Sequence, residues 1–531
     1  MYLLPTDLHP ARALCVLCLA LLAGCSDGDD AVRLGVPGSD DPTIVPVPPA
    51  VLEAAPSGGP VLITTFFSLA SVGYEQAEFF VSGTANAYVN TNELQPDGRW
   101  AVQPSSQAPY RTRIVVHRPS SPEDFNGTVV VEWLNVSAGF DAAPDWGMLH
   151  TELIRSGYAW VGVSAQREGV EALLDGSAAA LLPGAPADDR YASLQHPGDA
   201  FSYDIYSQIA RALRGPGFGA NAQTADPPLG GTVLIRPLGD LEPRHFIAAG
   251  ESQSAAHMMT YVNGFAPLHA LFDGYFVHSR LGGSAPLQGS FFDDVVVETP
   301  EIVRVRTDLG VPVMMLQTET DLFVLGSWPS NQPDSAFFRL WEVAGTAHAD
   351  LYTFLDNRFD VGDDPSVAAV AEVSAPIPGI IECPVPVNAG PQHWVAKAAM
   401  AALNTWIVDG TPPPMAERLA VSGSPPAFEL DEHGNVIGGI RTPYVDTPIA
   451  VLSGEGQPQV DFDPDNRNFC FLSGTTRLFD AATLRSLYPD NAAYVEAVNA
   501  AADEAVANRF LLPADAALIR AHAANTDIFA P

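Results

Sequence analysis

The feature that most constrains this chain is a serine, flanked by small residues, between a strand pattern and a helix pattern. An apolar run, His245–Ala249, leads into Gly250-Glu251-Ser252-Gln253-Ser254, and a helix-compatible stretch over residues 254–262 follows. A strand that turns sharply into a helix exposes the residue at the apex, provided that the residues two before and two after it are small. Gly250 meets this need. Ser254 stands where a second glycine is usual, so the rest of the chain has to support any role for Ser252.

Charge and composition narrow the classes of protein that the chain can belong to. The 531 residues include 26 Lys and Arg against 62 Asp and Glu, a formal net charge of −36. Such a surface repels phosphate backbones, and we therefore expect no nucleic-acid partner. Hydrophobic residues make up 47% of the chain, which is enough for a large core. The length fits one large domain with insertions, or two to three ordinary ones.

The N-terminal segment predicts export and a lipid anchor. Residues 13–24 are almost entirely apolar, too short a run to span a bilayer but typical of a signal peptide. The run ends in Leu22-Ala23-Gly24-Cys25, which resembles a bacterial lipobox, in which the cysteine is lipid-modified. The alternative is an ordinary signal peptide cleaved beside a cysteine. We expect a lipoprotein signal over residues 1–25, a flexible tether over residues 26–60 that is rich in Asp, Gly and Pro, and a location in the bacterial cell envelope.

Strand and helix patterns alternate through most of the chain. Apolar strands are predicted at residues 61–68, 111–118, 128–134, 159–164, 245–249, 272–278, 311–317 and 338–343. Helices are predicted at residues 145–156, with Asp145 as N-cap, and at residues 202–213, 254–262 and 393–409. Alternation of this kind predicts an α/β fold whose mostly parallel central sheet is flanked by helices on both faces.

Other segments interrupt the alternation. Residues 166–200, 280–308 and 351–391 read as insertions within a domain over residues 61–420, and we expect them to roof the functional site as lids. Residues 421–531 are expected to form a C-terminal extension packed on that domain, with helices near residues 481–487 and 491–506. Cys383 and Cys470, the cysteines outside the N-terminal segment, are candidates for a disulfide in an exported chain. The acidic run at residues 461–468 lacks the glycine and final glutamate of a calcium loop, which favours a solvated turn and no metal site.

Candidate partners for Ser252 follow two later strands. Acyl transfer by a serine needs a base that takes the hydroxyl proton, an acid that orients the base, and N–H donors for the oxyanion. Glu319 and Asp321 come just after the strand at residues 311–317, and His348 follows the strand at residues 338–343 on a loop of small residues. His257, in the helix after Ser252, is the nearest rival to His348.

The chain resembles the α/β-hydrolase superfamily and, more narrowly, the large bacterial alpha/beta hydrolase domain proteins. The resemblance is carried by residues 110–116, 125–136, 159–166, 250–254, 317–321, 344–350 and 390–393. It implies an α/β-hydrolase fold and the order Ser252, Asp321, His348 for nucleophile, acid and base, with Glu319 as the alternative acid. It also implies that the oxyanion is held by the N–H of Gln253 and by one from the loop at Asn135 and Val136.

We therefore expect a lipid-anchored serine hydrolase that cleaves small-molecule carboxylic esters without a cofactor. One alternative is a non-catalytic envelope lipoprotein that keeps the fold and binds a ligand. Another is an amidase or acyltransferase that uses the same three residues. A metal hydrolase is disfavoured, since the sequence has no His-Glu-x-x-His motif and no cluster of cysteines and histidines.

Overall fold

The computed structural model describes residues 44–180, 189–215, 235–290, 299–458 and 469–530. These residues belong to one compact unit, Pro42–Pro531. The predicted signal peptide with Cys25, the first part of the predicted tether and the acidic run at residues 461–468 lie outside the described residues.

The described strands include a sheet of nine with the order β1-β2-β3-β5-β4-β6-β7-β8-β9. Strands β1 to β3 are antiparallel neighbours, β3 pairs antiparallel with β5, and the remaining pairs are parallel. The prediction of a mostly parallel sheet is therefore confirmed. The strands are β1 (Val51–Ala54), β2 (Tyr74–Asn90), β3 (Val102–Pro119), β4 (Thr128–Trp133), β5 (Ala159–Val163), β6 (His245–Glu251), β7 (Gly274–His278), β8 (Val313–Thr318) and β9 (Phe338–Val343).

Helices cover both faces of this sheet. They are α1 (Pro144–Arg155), α2 (Arg167–Leu174), α3 (Ser177–Ala180), α4 (Ser202–Leu213), α5 (Gln253–Thr260), α6 (Ala266–His269), α7 (Glu319–Phe323), α8 (Gln392–Asp409), α9 (Pro443–Asp446), α10 (Ala481–Leu487), α11 (Asn491–Ala507) and α12 (Pro513–Asn525). Successive side chains of a strand point to opposite faces. Val129 and Val131 accordingly pack in the core that contains α4 and α5, whereas Val130 packs with α1 and α8.

Three local predictions are wrong. Val61–Ser68 is not a strand, because side chains bind its backbone at Val61: the N–H donates to the Tyr191 hydroxyl and the C=O accepts from Arg113. Asp145 is not the N-cap of α1, which begins with Pro144 after Ala143, and its carboxylate instead contacts a buried histidine. The C-terminal end of the tether predicted over residues 26–60 contains strand β1, which pairs with β2.

The described part of the segment after residue 420 contains two antiparallel strand pairs and four helices, α9 to α12. The pairs are β10 (Val421–Ser422) with β11 (Ala427–Phe428), and β12 (Ala450–Ser453) with β13 (Thr475–Leu478). Asp515 of α12 accepts hydrogen bonds from Nη1 and Nη2 of Arg155 of α1, at 2.6 and 2.9 Å. A disulfide joins Cys383 to Cys470 across 87 residues of sequence. The C-terminal segment is thus tied to the helices and loops around the sheet.

Candidate active site

Ser252 stands at the turn between β6 and α5 in a strained backbone conformation. Its φ of 59° and ψ of −121° lie where L-residues other than glycine are uncommon. The N–H of Ser252 donates to the carbonyl of His278 on the neighbouring strand β7 at 3.0 Å. A Cβ on Gly250 would lie 2.8 Å from the carbonyl oxygen of Ser254, which explains the need for glycine there. Ser252 itself remains partly exposed, so its hydroxyl is accessible at the apex.

Asp321 lies in the first turn of α7, directly after strand β8. Thr318 caps this helix: its hydroxyl accepts the N–H of Asp321, and its own N–H donates to Asp321 Oδ2 at 2.7 Å. The cap leaves Asp321 Oδ1 free to face His348, whose Nδ1 lies 2.7 Å away. The reciprocal cap holds the carboxylate in one orientation.

Glu319, the alternative acid, does not make this contact. Its two oxygens accept the N–H groups of Gly345 and Gly454 at 2.6 and 2.7 Å. Burial raises the pKa of Glu319 to about 8, although both N–H donors oppose the shift. Glu319 therefore stabilises the loop after β9, and Asp321 is the acid that contacts His348.

His348 contacts both Ser252 and Asp321, through its two ring nitrogens. Its Nε2 lies 2.8 Å from Ser252 Oγ, while its Nδ1 faces Asp321. Burial lowers the pKa of His348, but the nearby carboxylates of Glu251 and Asp321 outweigh burial and leave it above its ordinary value. A ring held in this way can accept the hydroxyl proton of Ser252 and keep the resulting positive charge beside a carboxylate.

Two backbone N–H groups near Ser252 are without an acceptor among the described residues. Gln253 is the first residue of α5, so its N–H has no partner within the helix, and the helix dipole adds positive potential there. The N–H of Val136 likewise lacks an acceptor in the described part of the chain. The N–H of Asn135, by contrast, donates to the carbonyl of Ala142 at 2.9 Å. Of the two loop residues expected to supply a donor, Val136 therefore fits and the backbone of Asn135 does not.

The sequence analysis missed Glu251. This last residue of β6 is buried, and its Oε1 lies 3.3 Å from His348 Nε2. The side-chain amide of Asn135 donates to the main-chain carbonyl of Glu251 at 3.1 Å and approaches its Oε2 at 3.5 Å. The available signal was a carboxyl group at the end of an otherwise apolar buried strand, which is costly without a partner.

The rival histidines have other partners. His257 stacks on Trp133, with ring centroids 5.0 Å apart, and its Nδ1 lies 3.1 Å from the carbonyl of Gln253. His278 Nδ1 lies 2.9 Å from Asp145 Oδ1, and burial lowers the pKa of this histidine. His393 stacks on Tyr352 at 3.6 Å. Their nitrogens therefore do not form the contact to Ser252.

Two further properties concern metals and membranes. Within the described ranges, no group of three or more His, Cys, Asp or Glu side chains is arranged to hold a metal ion. None of the helices in the described part of the chain combines the length and apolar character needed to cross a bilayer.

Comparison with known proteins identifies the family. A family model described as alpha/beta hydrolase domain matches residues 45–521, nearly the whole described chain. No curated protein matches the sequence significantly.

Solved structures with some likeness include several hydrolases. A glucuronoyl esterase from Teredinibacter turnerae is 11% identical, with 56% of this chain and 76% of that one covered and a TM-score of 0.27. A carboxylesterase from Lactobacillus plantarum is 10% identical, with 46% and 77% covered and a TM-score of 0.24. An α/β serine hydrolase from Xanthomonas campestris is 13% identical, with 49% and 83% covered and a TM-score of 0.23. At TM-scores below 0.5, these likenesses carry no argument about substrate.

Proposed function

The chain belongs to the alpha/beta hydrolase domain family, and from that premise we propose that it is a serine hydrolase that cleaves carboxylic esters. Ser252 would be the nucleophile, His348 the general base and Asp321 the acid that orients the base. The observation that carries the proposal is the continuous line of contacts from Asp321 Oδ1 through both nitrogens of His348 to Ser252 Oγ, at 2.7 and 2.8 Å. A nucleophile hydrogen-bonded to a base that is itself oriented by a third group is the arrangement that acyl transfer requires.

The proposed reaction has two halves. His348 Nε2 takes the hydroxyl proton as Ser252 Oγ attacks the ester carbonyl, and the tetrahedral intermediate collapses when Nε2 returns that proton to the leaving alcohol. Water, deprotonated by the same nitrogen, then attacks the acyl-enzyme, and Nε2 returns this proton to Ser252 Oγ as the acid is released. Asp321 keeps Nδ1 protonated throughout, so that Nε2 presents its lone pair to Ser252 in the resting state.

The N–H groups of Gln253 and Val136 would hold the oxyanion. Both lack an acceptor among the described residues: Gln253 directly follows Ser252, and Val136 follows Asn135, whose side chain donates to the carbonyl of Glu251. Loss of one such donor costs roughly 10²- to 10³-fold in kcat in comparable sites. The strained backbone of Ser252 supports the same proposal, because strain of this kind tends to persist at functional positions.

A paired labelling and turnover experiment tests the proposal. Protein lacking residues 1–25 is treated with a fluorophosphonate probe and assayed on p-nitrophenyl esters of increasing chain length, beside Ser252→Ala. Ser254→Ala is the matched control, since this buried serine lies two residues away in α5. We expect labelling and turnover in the wild type and the control, and neither in Ser252→Ala.

The other candidate activities are outcomes of the same experiment. Labelling without ester turnover, followed by cleavage of an anilide or transfer to an added alcohol, would identify an amidase or acyltransferase. A folded wild-type protein that is neither labelled nor active would contradict the proposal and point to a ligand-binding lipoprotein.

We also propose that Cys25 carries a lipid that anchors the protein in the bacterial envelope. The lipobox-like Leu22-Ala23-Gly24-Cys25 after a short apolar run supports this proposal. Metabolic labelling with an alkyne fatty acid should modify the wild-type protein and leave Cys25→Ser unlabelled. Labelling of Cys25→Ser at the wild-type level would contradict the anchor.

A further inference from the structure

Glu251 adds a second carboxylate to the candidate base. Its Oε1 lies 3.3 Å from His348 Nε2, the same nitrogen that lies 2.8 Å from Ser252 Oγ. Asp321, the expected partner, approaches the opposite nitrogen. The imidazole of His348 is thus placed between two carboxylates, and one of them shares the nitrogen through which the serine would be activated.

Glu251 is held in this position from two sides. It ends β6, paired with His278 of β7, so its backbone belongs to the centre of the sheet. The amide of Asn135 contacts both its main-chain carbonyl and its Oε2. Asn135 also accepts the N–H of Ser137 at 2.8 Å, which ties Glu251 to the loop that contains Val136. The side chain therefore has little freedom to leave His348.

We propose, resting on the proposed function, that Glu251 is a positioning residue whose ionisation controls the availability of His348 Nε2 to Ser252. With Nδ1–H donated to Asp321, the neutral ring offers a lone pair at Nε2. A protonated Glu251 can donate to that lone pair in competition with the serine hydroxyl. An ionised Glu251 has no proton to donate and instead stabilises the imidazolium after the proton has been transferred. The ionised form is therefore the active form.

The surroundings of Glu251 support this control near neutral pH. Burial raises the pKa of Glu251 to about 7; His348 and then His278 oppose the shift, while Asp145 and Asp321 add to it. These four groups are the titratable side chains that influence Glu251 from α1, β7, α7 and the loop after β9. Because Glu251 and His348 interact directly, their protons are expected to dissociate as a coupled pair.

The proposal predicts an unusual pH profile for variants of Glu251. In Glu251→Gln, His348 loses the largest influence that raises its pKa, so the acidic limb of kcat/KM should move to lower pH. The plateau of kcat should fall roughly tenfold, because the imidazolium loses a charged partner, with KM little changed. Glu251→Asp, one methylene shorter, should show the same shift in part. Glu342→Gln is the matched control, since Glu342 is also buried in a strand with a raised pKa but contacts Leu419 and Asn331 instead.

The experiment measures the rate of fluorophosphonate inactivation and kcat/KM for p-nitrophenyl acetate from about pH 5 to about pH 9. A shifted limb in Glu251→Gln, with the control unshifted, supports the proposal. A uniform loss at every pH, with the limb unmoved, overturns it and assigns Glu251 a structural role. A wild-type protein that is neither inactivated nor active contradicts the proposed function itself, so the two failures are distinguishable.

A second measurement needs no variant. The ring of His348, labelled with ¹⁵N-histidine in the wild-type protein, can be titrated by NMR. Titration in two steps supports coupling to Glu251, and titration in a single step overturns it.

Discussion

Ser252 and His348 face each other across 2.8 Å, yet the two sides of the site are held in different ways. Ser252 directly follows the central strand β6, and its turn is set by the neighbouring strand β7 and by Gly250. The loop that carries His348 depends on distant segments, because Gly345 donates to Glu319 and Ala349 donates to Leu472. The nucleophile side is therefore built by secondary structure and the base side by tertiary contacts.

The same contrast extends to the C-terminal segment. Asn388 donates to the carbonyls of Gly345 and Ser453 at 3.2 and 3.0 Å, and Glu319 bridges Gly345 to Gly454. A Cβ on Gly474 would lie 2.8 Å from the Cβ of Ala347, the residue before His348. Residues Ser453, Gly454 and Gly474 of the segment after residue 420 therefore pack close to the loop that carries His348.

The largest expected effect separates the two acids on the base side. Asp321→Asn should lower kcat on the order of 10⁴-fold, because the amide no longer holds the tautomer of His348 that accepts from Ser252. Glu319→Gln, on the same helix, should lose no more than about tenfold, since Glu319 bonds to the N–H groups of Gly345 and Gly454 and does not contact His348. Steady-state kinetics of both variants on one ester checks this. Equal losses would contradict the assignment of Asp321.

Loss of the disulfide between Cys383 and Cys470 should disturb the loop that carries His348 more than the turn that carries Ser252. Cys470 lies two residues before Leu472, whose carbonyl accepts the N–H of Ala349. The double variant Cys383→Ser/Cys470→Ser should lose about 2–4 kcal/mol of unfolding free energy, which chemical denaturation measures. Esterase activity should decline at a lower temperature than the circular dichroism signal of the sheet. Coincident loss of both signals would show that the histidine loop has no separate dependence on this bond.

A substitution at Gly250 tests the nucleophile side. Gly250→Ala places a Cβ against the Ser254 carbonyl and should cost about 1–3 kcal/mol, because backbone must move. Activity should fall together with stability, since the turn itself is displaced. Gly59→Ala is the control, because a Cβ there meets nothing within 4 Å. A fully stable and active Gly250→Ala would contradict this account of the turn.

On the base side, we also expect the stability of the protein to depend on pH. The pKa of Glu319 rises from an ordinary 4.5 to about 8 on burial, so the folded state holds this proton more tightly than the unfolded state. The resulting stabilisation is present below about pH 4.5 and is lost as the pH rises through about 8. Denaturation of Glu319→Gln should lack this decline between about pH 4.5 and about pH 8, whereas Ser254→Ala should retain it. Parallel declines in both variants would assign the titration to another group.

Prediction from sequence succeeded where a signal is local. The bounds of α4 and β9 agree with their apolar patterns, and α8 begins one residue before its prediction and ends at Asp409, followed by Gly410. It failed at Val61–Ser68, where the backbone of Val61 bonds to the side chains of Tyr191 and Arg113 and the N–H of Phe66 donates to the carbonyl of Arg358. Helix α12 was also missed. Its buried face is formed by residues such as Ala516, Ile519 and Ala523, which make a weak apolar pattern until α11 packs on them.

The strand, turn and helix around Ser252, and the order of the candidate acid and base, can be read from the residue pattern alone. Both depend on short-range preferences and on the alternation of apolar runs. The three-dimensional arrangement was needed to see that Asp321 rather than Glu319 faces His348, that the N–H of Val136 rather than Asn135 is available, and that Glu251 shares the nitrogen of the base. The paired atoms belong to residues far apart in the chain, as in Ser252 and His348, which are 96 positions apart. Such contacts depend on how the strands are ordered in the sheet, and no local pattern of residues encodes that order.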